Sequence, residues 1–545
     1  MAGVIFLLSA LLSANDSPPP LTVDSDTAVV CPERFLAALQ PWLELRRQQG
    51  RTISLLSNLG TPENIRDRIR AVGAAGKLRF VVLVGDANYT MNRDPVLRMV
   101  SVPMHYVQSK VNVKYGSEPT ISTDNWYVQG SAATDEKPMP ELAIGRITAA
   151  TADELRQIVA KIVAYEKATD FAPWRQRINL VAGSGGFGVM ADSLIESTAR
   201  QILTANIPAQ YHVSMTYANW QSPYCPAPER FHQTTLDRLN EGSLFWVYIG
   251  HAWPRGVQPL LVTAATAQSS KGHYPVLEMA DASRLNCRSG QPIALFLCCY
   301  AGAIDAQGRC LASGLLAAPG GPISVIAGSR VTMPYAMTVF SAELGKSFFG
   351  RHAATLGEAM LEAKQAMLNE PRTDDKQRAM LDNIAAWVDP ARDQLAAERA
   401  EHVLMFNIIG DPLLRLHYPQ AIDLRSPGPL QAGASVTVQG TSPLAGRGRL
   451  ELVTRRDRLP GERPVRTSVP TEAKTAALFD RQYSESNDHV LWAGDVEIPQ
   501  GAISVPLRVP DGAKGACHLC LTVCGSKGMA AGACDVEVVK GIGAH

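Results

Sequence analysis

Two apolar runs, Phe245-Trp-Val-Tyr-Ile-Gly-His251 and Pro292-Ile-Ala-Leu-Phe-Leu-Cys-Cys299, each stop abruptly on a side chain that can do chemistry. Runs of β-favouring residues without polar alternation are the pattern of strands buried on both faces, as in parallel sheets covered by helices. Open sheets of that kind place reactive groups at the carboxyl ends of their strands. A histidine at one strand tip and a cysteine at another supply what a cysteine hydrolase needs. The imidazole assists the thiol, and flanking backbone N–H groups receive the oxyanion.

The surrounding sequence agrees with a parallel sheet. Thr27-Ala-Val-Val30 leads to an amphipathic stretch over 32–49, then to Thr52-Ile-Ser-Leu-Leu56. Thr61-Pro-Glu-Asn64 then opens a helix, with proline in the first turn behind a threonine cap. The apolar run 78–85 completes a β–α–β order. Further strands are expected near 177–182, 209–217, 244–250, 292–298 and 321–327, with longer helices between them. After Pro419 the pattern changes to short β-type runs such as Ser435-Val-Thr-Val438, Leu450-Glu-Leu-Val-Thr454 and Val536-Glu-Val-Val539, separated by Pro and Gly. That predicts a β-sandwich of immunoglobulin-like size with few helices. The expected division is a targeting segment and spacer (1–24), an N-terminal α/β subdomain (25–170), a catalytic α/β subdomain (171–417) and a C-terminal β-sandwich (418–545).

Composition sets the outer bounds. A length of 545 residues leaves room for about three domains at ~150 residues each. A net charge of +1 gives no basic surface for nucleic acid. No apolar run reaches the ~18–20 residues of a membrane span. Val4 to Ala14 is short and apolar and precedes a proline-rich spacer, which predicts a signal peptide and a secreted or envelope location. Against that reading stand the lack of Lys or Arg before the apolar core and the bulk of Leu12 ahead of a cut after Ala14. The ten cysteines are scattered over a chain large enough to bury its own core, so they do not form a disulfide framework. Cys517-x-x-Cys520-x-x-x-Cys524 has the look of a metal motif, but it lies in one β-type run. Odd spacing there sends Cys517 and Cys520 to opposite faces. Small core residues, or a disulfide from this run to Cys534, fit better than zinc.

The residues around the two strand tips carry a family resemblance. Tyr248-Ile-Gly-His251 and Cys299-Tyr-Ala-Gly302 resemble the gingipain-type cysteine peptidases, relatives of caspases and legumains in the caspase-like fold. Other stretches fall in the same order. Phe80-Val-Val-Leu-Val-Gly-Asp86 resembles the first long strand of that family, and Pro140-Glu-Leu-Ala-Ile-Gly-Arg-Ile147 resembles its acid-x-x-x-Gly-Arg strand. The helix from Ala152 to Lys167 follows, and Phe406-Asn-Ile-Ile-Gly-Asp-Pro412 resembles the segment closing the catalytic region. The match spans roughly 25–417.

The resemblance implies a cysteine endopeptidase acting on proteins or peptides, with a β-sandwich after the catalytic region and no cofactor in the chemistry. Calcium binds several such peptidases, but no Asp/Asn-rich loop of ligand spacing assigns it here. Cys299 is the implied nucleophile, because only it stands three residues before a glycine; Cys298, on the other strand face, is a buried neighbour. His251 is the implied base and acid. Glu141 is the implied carboxylate that orients the histidine, with Asp305 and Asp86 as alternatives. The oxyanion is expected on the N–H groups of Cys299 and Ala252. The family usually has glycine where Ala252 stands, and alanine would cost about 1 kcal/mol if the position needed φ > 0. Ser329 and Arg330 fall in the part that walls the primary specificity pocket. Arg330 is either an exposed loop residue or a guanidinium that holds an acidic substrate side chain.

Gly183-Ser-Gly185-Gly-Phe-Gly188 follows a strand and satisfies G-x-G-x-x-G. The next strand, running out through Met215-Thr-Tyr-Ala-Asn-Trp220, has no carboxylate for ribose hydroxyls, so a tight turn beside the active site fits better than a nucleotide loop. Two other functions fit the same residues. One is transpeptidation, with an amine in place of water. The other is a non-catalytic binding or structural module, which Ala252 motivates.

Overall fold

The computed structural model describes residues 24–87, 94–184, 207–261, 272–371, 373–456, 466 and 473–540. The expected signal segment and Gly185 to Gly188 of the glycine-rich turn lie outside these residues. Among the described residues no helix is long and apolar enough to cross a membrane.

The β–α alternation builds one ten-stranded sheet. Its strands are β1 (Thr27–Val30), β2 (Ile53–Leu56), β3 (Phe80–Val84), β4 (Ala143–Ile147), β5 (Arg177–Ala182), β6 (His212–Tyr217), β7 (Phe245–Ile249), β8 (Ile293–Leu297), β9 (Ser324–Gly328) and β10 (Phe406–Ile409). Across the sheet they run β2-β1-β3-β4-β10-β9-β8-β7-β5-β6. Strand β10 is antiparallel to β9 and meets β4 at the single pair Ile409–Arg146; the other pairs are parallel. The ends of β4 and β8 share one edge, since Arg309, after β8, pairs with Glu154, after β4, at 2.6 Å. Strands β1, β3, β4, β8, β9 and β10 are buried at every residue, which the unbroken apolar runs require. The helix Pro62–Gly73 begins where expected: Thr61 Oγ1 accepts from Asn64 N, and the Asn64 side chain accepts from Thr61 N.

Two arginines buried in this region are paired with carboxylates. Arg46 donates to Glu166 at 2.7 Å and to Asp411 at 2.6 Å, joining the helices Leu36–Gln48 and Ala152–Lys167 to the turn after β10. Arg146, the arginine of the Gly-Arg motif, is fully buried. It forks onto Asp124 and donates to Val102 O at 2.7 Å. The motif therefore pins the strand to the segments around Val102 and Asp124.

The region after Pro419 forms two packed sheets. One contains the long strands Gly446–Thr454, Val490–Ile498, Gly515–Gly525 and Gly528–Val539; the other contains Asp423–Arg425, Ser435–Ser442 and Gly501–Arg508. Cys517 lies in their core, whereas Cys520 faces outward with its thiol toward Ala209 O of the α/β region at 3.5 Å. The two cysteines thus take opposite faces. The disulfide to Cys534 is not formed.

One element departs from the all-β expectation: a helix, Ala473–Asn487, inserted between two sandwich strands. It docks on the outermost strand of the large sheet. Asn487 accepts from Met215 N at 2.7 Å and donates to Met215 O at 3.0 Å, so one carboxamide satisfies both backbone groups of an edge residue. Asp480 accepts from Ala227 N at 3.0 Å and from Arg230 at 2.9 Å, at the start of the helix Pro228–Asn240. This helix depends on tertiary docking, which short-range sequence pattern does not report.

Candidate active site

The register of β7 and β8 builds the site. Phe245 pairs with Ile293, and the ladder continues in step to Ile249 opposite Leu297. Two residues further along each strand stand His251 and Cys299. Neighbouring strands lie ~4.8 Å apart, so in-register tips bring the two side chains' backbones to adjacent positions on one edge.

Each tip is shaped by its local residues. Gly250 has φ 152°, and a Cβ there would stand 2.8 Å from the Tyr248 hydroxyl. Only glycine lets the chain turn off the strand at that point. The buried Tyr248 hydroxyl donates to His251 O at 2.9 Å, and Gln258 N donates to the same carbonyl at 2.9 Å. Gly183, the first glycine of the turn after β5, packs against Tyr248 and Gly250. That turn thus starts beside the histidine, as the sequence suggests.

At the other tip, Cys298 is fully buried, and burial pushes its thiol well above the usual range. Cys299 is half-buried at the cleft. Tyr300 then takes φ 58°, a left-handed conformation that costs a non-glycine residue about 1 kcal/mol or more. Its N–H donates to Arg330 O at 3.1 Å, and its hydroxyl donates to Glu118 at 3.0 Å. Gly302 is needed for close approach, since a Cβ there would lie 2.8 Å from Ala327 O. The Cys299 sulfur itself accepts from Thr332 N at 3.4 Å.

Ala252 resolves the question raised by its replacing glycine. It pairs with Val257 in a short antiparallel hairpin, and its φ is not positive. The Gln258 N to His251 O bond makes 251/258 a hydrogen-bonded pair, so the adjacent Ala252/Val257 pair is of the non-bonded type. The Ala252 N–H therefore points away from the partner strand. Alanine carries no backbone penalty here.

The wall residues are committed inside the protein. Arg330 is 5% exposed and forms a two-pronged pair with Asp305, at 3.0 and 2.7 Å. It also donates to Thr120 O at 2.7 Å and to Ser329 O at 2.7 Å. Neither the exposed loop residue nor the receptor for an acidic substrate survives this geometry: the guanidinium already holds its carboxylate. Ser329 is fully buried and donates to Ser122 O at 2.8 Å, so its hydroxyl supports the wall from behind.

Glu141 is not brought to His251. It precedes β4, on the edge away from the ends of β7 and β8, with its N–H bonded to Val128 O at 2.9 Å. Four strand steps separate β4 from β7. At ~4.8 Å each these amount to roughly 19 Å, too far for a carboxylate to orient the imidazole. The alternatives fare no better. Asp305 is held by Arg330 and by Ser122 Oγ at 2.8 Å, and Asp86, which accepts from Ala87 N at 2.7 Å, ends β3, five strand steps from β7. Among the described residues no three His, Cys, Asp or Glu side chains converge as metal ligands, and no residue is assigned to calcium.

A parallel-sheet fold with a cysteine and a histidine at adjacent strand tips is that of a cysteine peptidase. The chain belongs to peptidase family C25, whose family model matches residues 21–417. Among solved structures it resembles the Arg-specific cysteine proteinase gingipain R (RgpB), at 14% identity over 95% of this chain and 98% of that one, with a TM-score of 0.51. The complex of Porphyromonas gingivalis RgpB pro- and mature domains matches at 14% identity, 94% and 100% coverage and a TM-score of 0.50. A structure titled only as a protease matches at 15% identity, 94% and 97% coverage and a TM-score of 0.51. At such identities the likeness is one of fold. No curated protein sequence matches.

Proposed function

We propose that the protein is a secreted or envelope-located cysteine endopeptidase that works through a Cys299–His251 dyad. The observation that carries the reading is the in-step pairing of Ile249 with Leu297, which sets the two residues at neighbouring strand tips. His251 takes the proton of the Cys299 thiol, and the sulfur attacks the carbonyl carbon of the scissile bond. The oxyanion rests on the N–H groups of Cys299 and Ala252. The C–N bond then breaks, His251 gives the proton to the leaving amine, and a thioester remains. Water, deprotonated by His251, attacks the thioester and releases the acid and the thiol. The location rests on the apolar segment from Val4 to Ala14.

The test is hydrolysis of a peptide pool by the full chain, with acyl transfer to an added amine measured in parallel. Hydrolysis that depends on both Cys299 and His251 supports the reading. Amine products that outrun hydrolysis would replace it with transpeptidation. Secretion is tested separately by locating the full-length precursor and sequencing the mature amino terminus.

A further inference from the structure

The helix Leu395–Met405 buries an unusual set of polar residues. Glu398 and His402 are 0% exposed, and Glu401 is 5% exposed. Buried polar groups need partners, and here most partners are backbone groups of the loops around Cys299. Glu401 accepts from Val111 N at 2.8 Å and Asn112 N at 2.9 Å. Asn112 in turn donates through its side chain to Val331 O. Glu398, on the same helix face, accepts from Ala336 N at 2.9 Å.

His402 sits between these contacts. Its Nδ1 lies 2.7 Å from Glu398 O, and its Nε2 lies 2.8 Å from Met333 N. A carbonyl oxygen can only accept, so Nδ1 carries the proton and Nε2 offers its lone pair. Met333 N–H is the amide immediately after Thr332 N–H, which meets the Cys299 sulfur at 3.4 Å.

We propose that His402 is a positioning residue for the nucleophile: its Nε2 holds the Met333 amide and so sets the Thr332 N–H against the Cys299 sulfur. The proposal rests on the peptidase reading for its effect on turnover but not for its effect on the thiol. An imidazole held as one tautomer by hydrogen bonds at both ring nitrogens is a rigid acceptor, and Phe406 stacks on it at 6.1 Å. Without it, the Met333 amide loses its side-chain acceptor, and the wall shifts against the sulfur. Because burial depresses the imidazole's basicity to about 4, the acceptor form persists across the working pH range.

The experiment uses the full chain with His402→Leu and His402→Gln. Leucine removes the acceptor; glutamine puts an amide oxygen near the place of Nε2. The first readout is the rate of iodoacetamide alkylation at Cys299, followed by mass spectrometry, and the second is kcat separately from KM. A displacement of the order of 1 Å at a reacting centre costs about 10²-fold. The expected result is a loss of about that size in alkylation rate and kcat for His402→Leu, with His402→Gln recovering most of it. A folded leucine variant with the wild-type alkylation rate overturns the proposal, as does a glutamine variant as slow as the leucine one. Should His402→Leu not fold, the wild-type ring is read by ¹⁵N NMR: a protonated Nε2 overturns the proposal, and a bare Nε2 hydrogen-bonded to an amide supports it. Fast, His402-dependent alkylation in a protein that cleaves no peptide would sink the peptidase reading alone.

Discussion

Ile249 and Leu297 face each other across two parallel strands, and the residues two places beyond them are His251 and Cys299. A slip of one residue would exchange Cys299 for Cys298 at that level and turn the proposed nucleophile into the protein. The apolar ladder below the tips fixes the register, so the chemistry at the edge is decided by packing in the core. The same ladder makes the two adjacent cysteines inequivalent.

Cys298 is therefore expected to be dispensable for turnover. Cys298→Ala should lower stability by about 1–2 kcal/mol through the small cavity it leaves. Peptide hydrolysis should stay within a few-fold of wild type. Urea unfolding and a peptide assay on the same preparation check both. Abolished turnover in a folded Cys298→Ala variant would exchange the roles of the two thiols.

Arg330→Ala should act on stability and not on selectivity. Removing one partner of a buried pair strands Asp305 and costs about 3–5 kcal/mol. The rank order of cleaved P1 residues should be unchanged. Thermal melting and peptide-pool profiling separate the two effects, and a reordered P1 profile would return Arg330 to the substrate.

Glu398 gives the protein a pH-dependent stability. Burial, reinforced by Asp389, raises its carboxyl from 4.5 to about 8, so it stays protonated in the folded state where the unfolded chain would ionise. Its contribution is complete below pH 4.5 and is lost as pH rises through about 8. Over that window the slope is at most about 1.4 kcal/mol per pH unit. Glu398→Gln removes the titration, so its stability relative to wild type should rise by a few kcal/mol between pH 5 and pH 8. Chemical denaturation at the two pH values measures this; a constant difference would mean that Glu398 is ionised in the fold.

Asn487→Ala should loosen the docking of the sandwich helix on the edge strand His212–Tyr217. Two hydrogen bonds to Met215 are lost, at about 1 kcal/mol each, and an edge with free backbone groups is uncovered. Faster amide exchange at Met215 and a greater tendency to self-associate are expected. Unchanged exchange would mean that the helix covers the edge without that side chain.

Much of this molecule was legible before its structure. The strands ending at His251 and Cys299 were readable because burial on both faces leaves an unbroken apolar run. Thr61 was readable as a helix cap, and the Gly145-Arg146 motif marked a real strand, though its arginine serves to hold Asp124. Strand order was not readable. β10 comes last in the chain yet inserts between β4 and β9, and this separates Glu141 from His251. Arg330 and Asp305 pair across a turn with no periodic signature. The helix at Ala473–Asn487 draws its stability from a docking partner far away in the chain. Glu398, Glu401 and His402 carry little sequence signal, because polar residues on a helix usually mark a solvent face. Their i, i+3, i+4 spacing among Val403, Leu404 and Met405, just before a buried strand, was the available clue.

The account turns on Cys299, and the direct measurement is cleavage of a peptide pool with every residue represented at P1, by wild type beside Cys299→Ala and His251→Ala. The account predicts cleavage by the wild type, a defined P1 preference, and loss of cleavage in both folded variants. Cleavage that survives in Cys299→Ala would contradict it, and so would a wild type that cleaves nothing after its mature amino terminus has been verified.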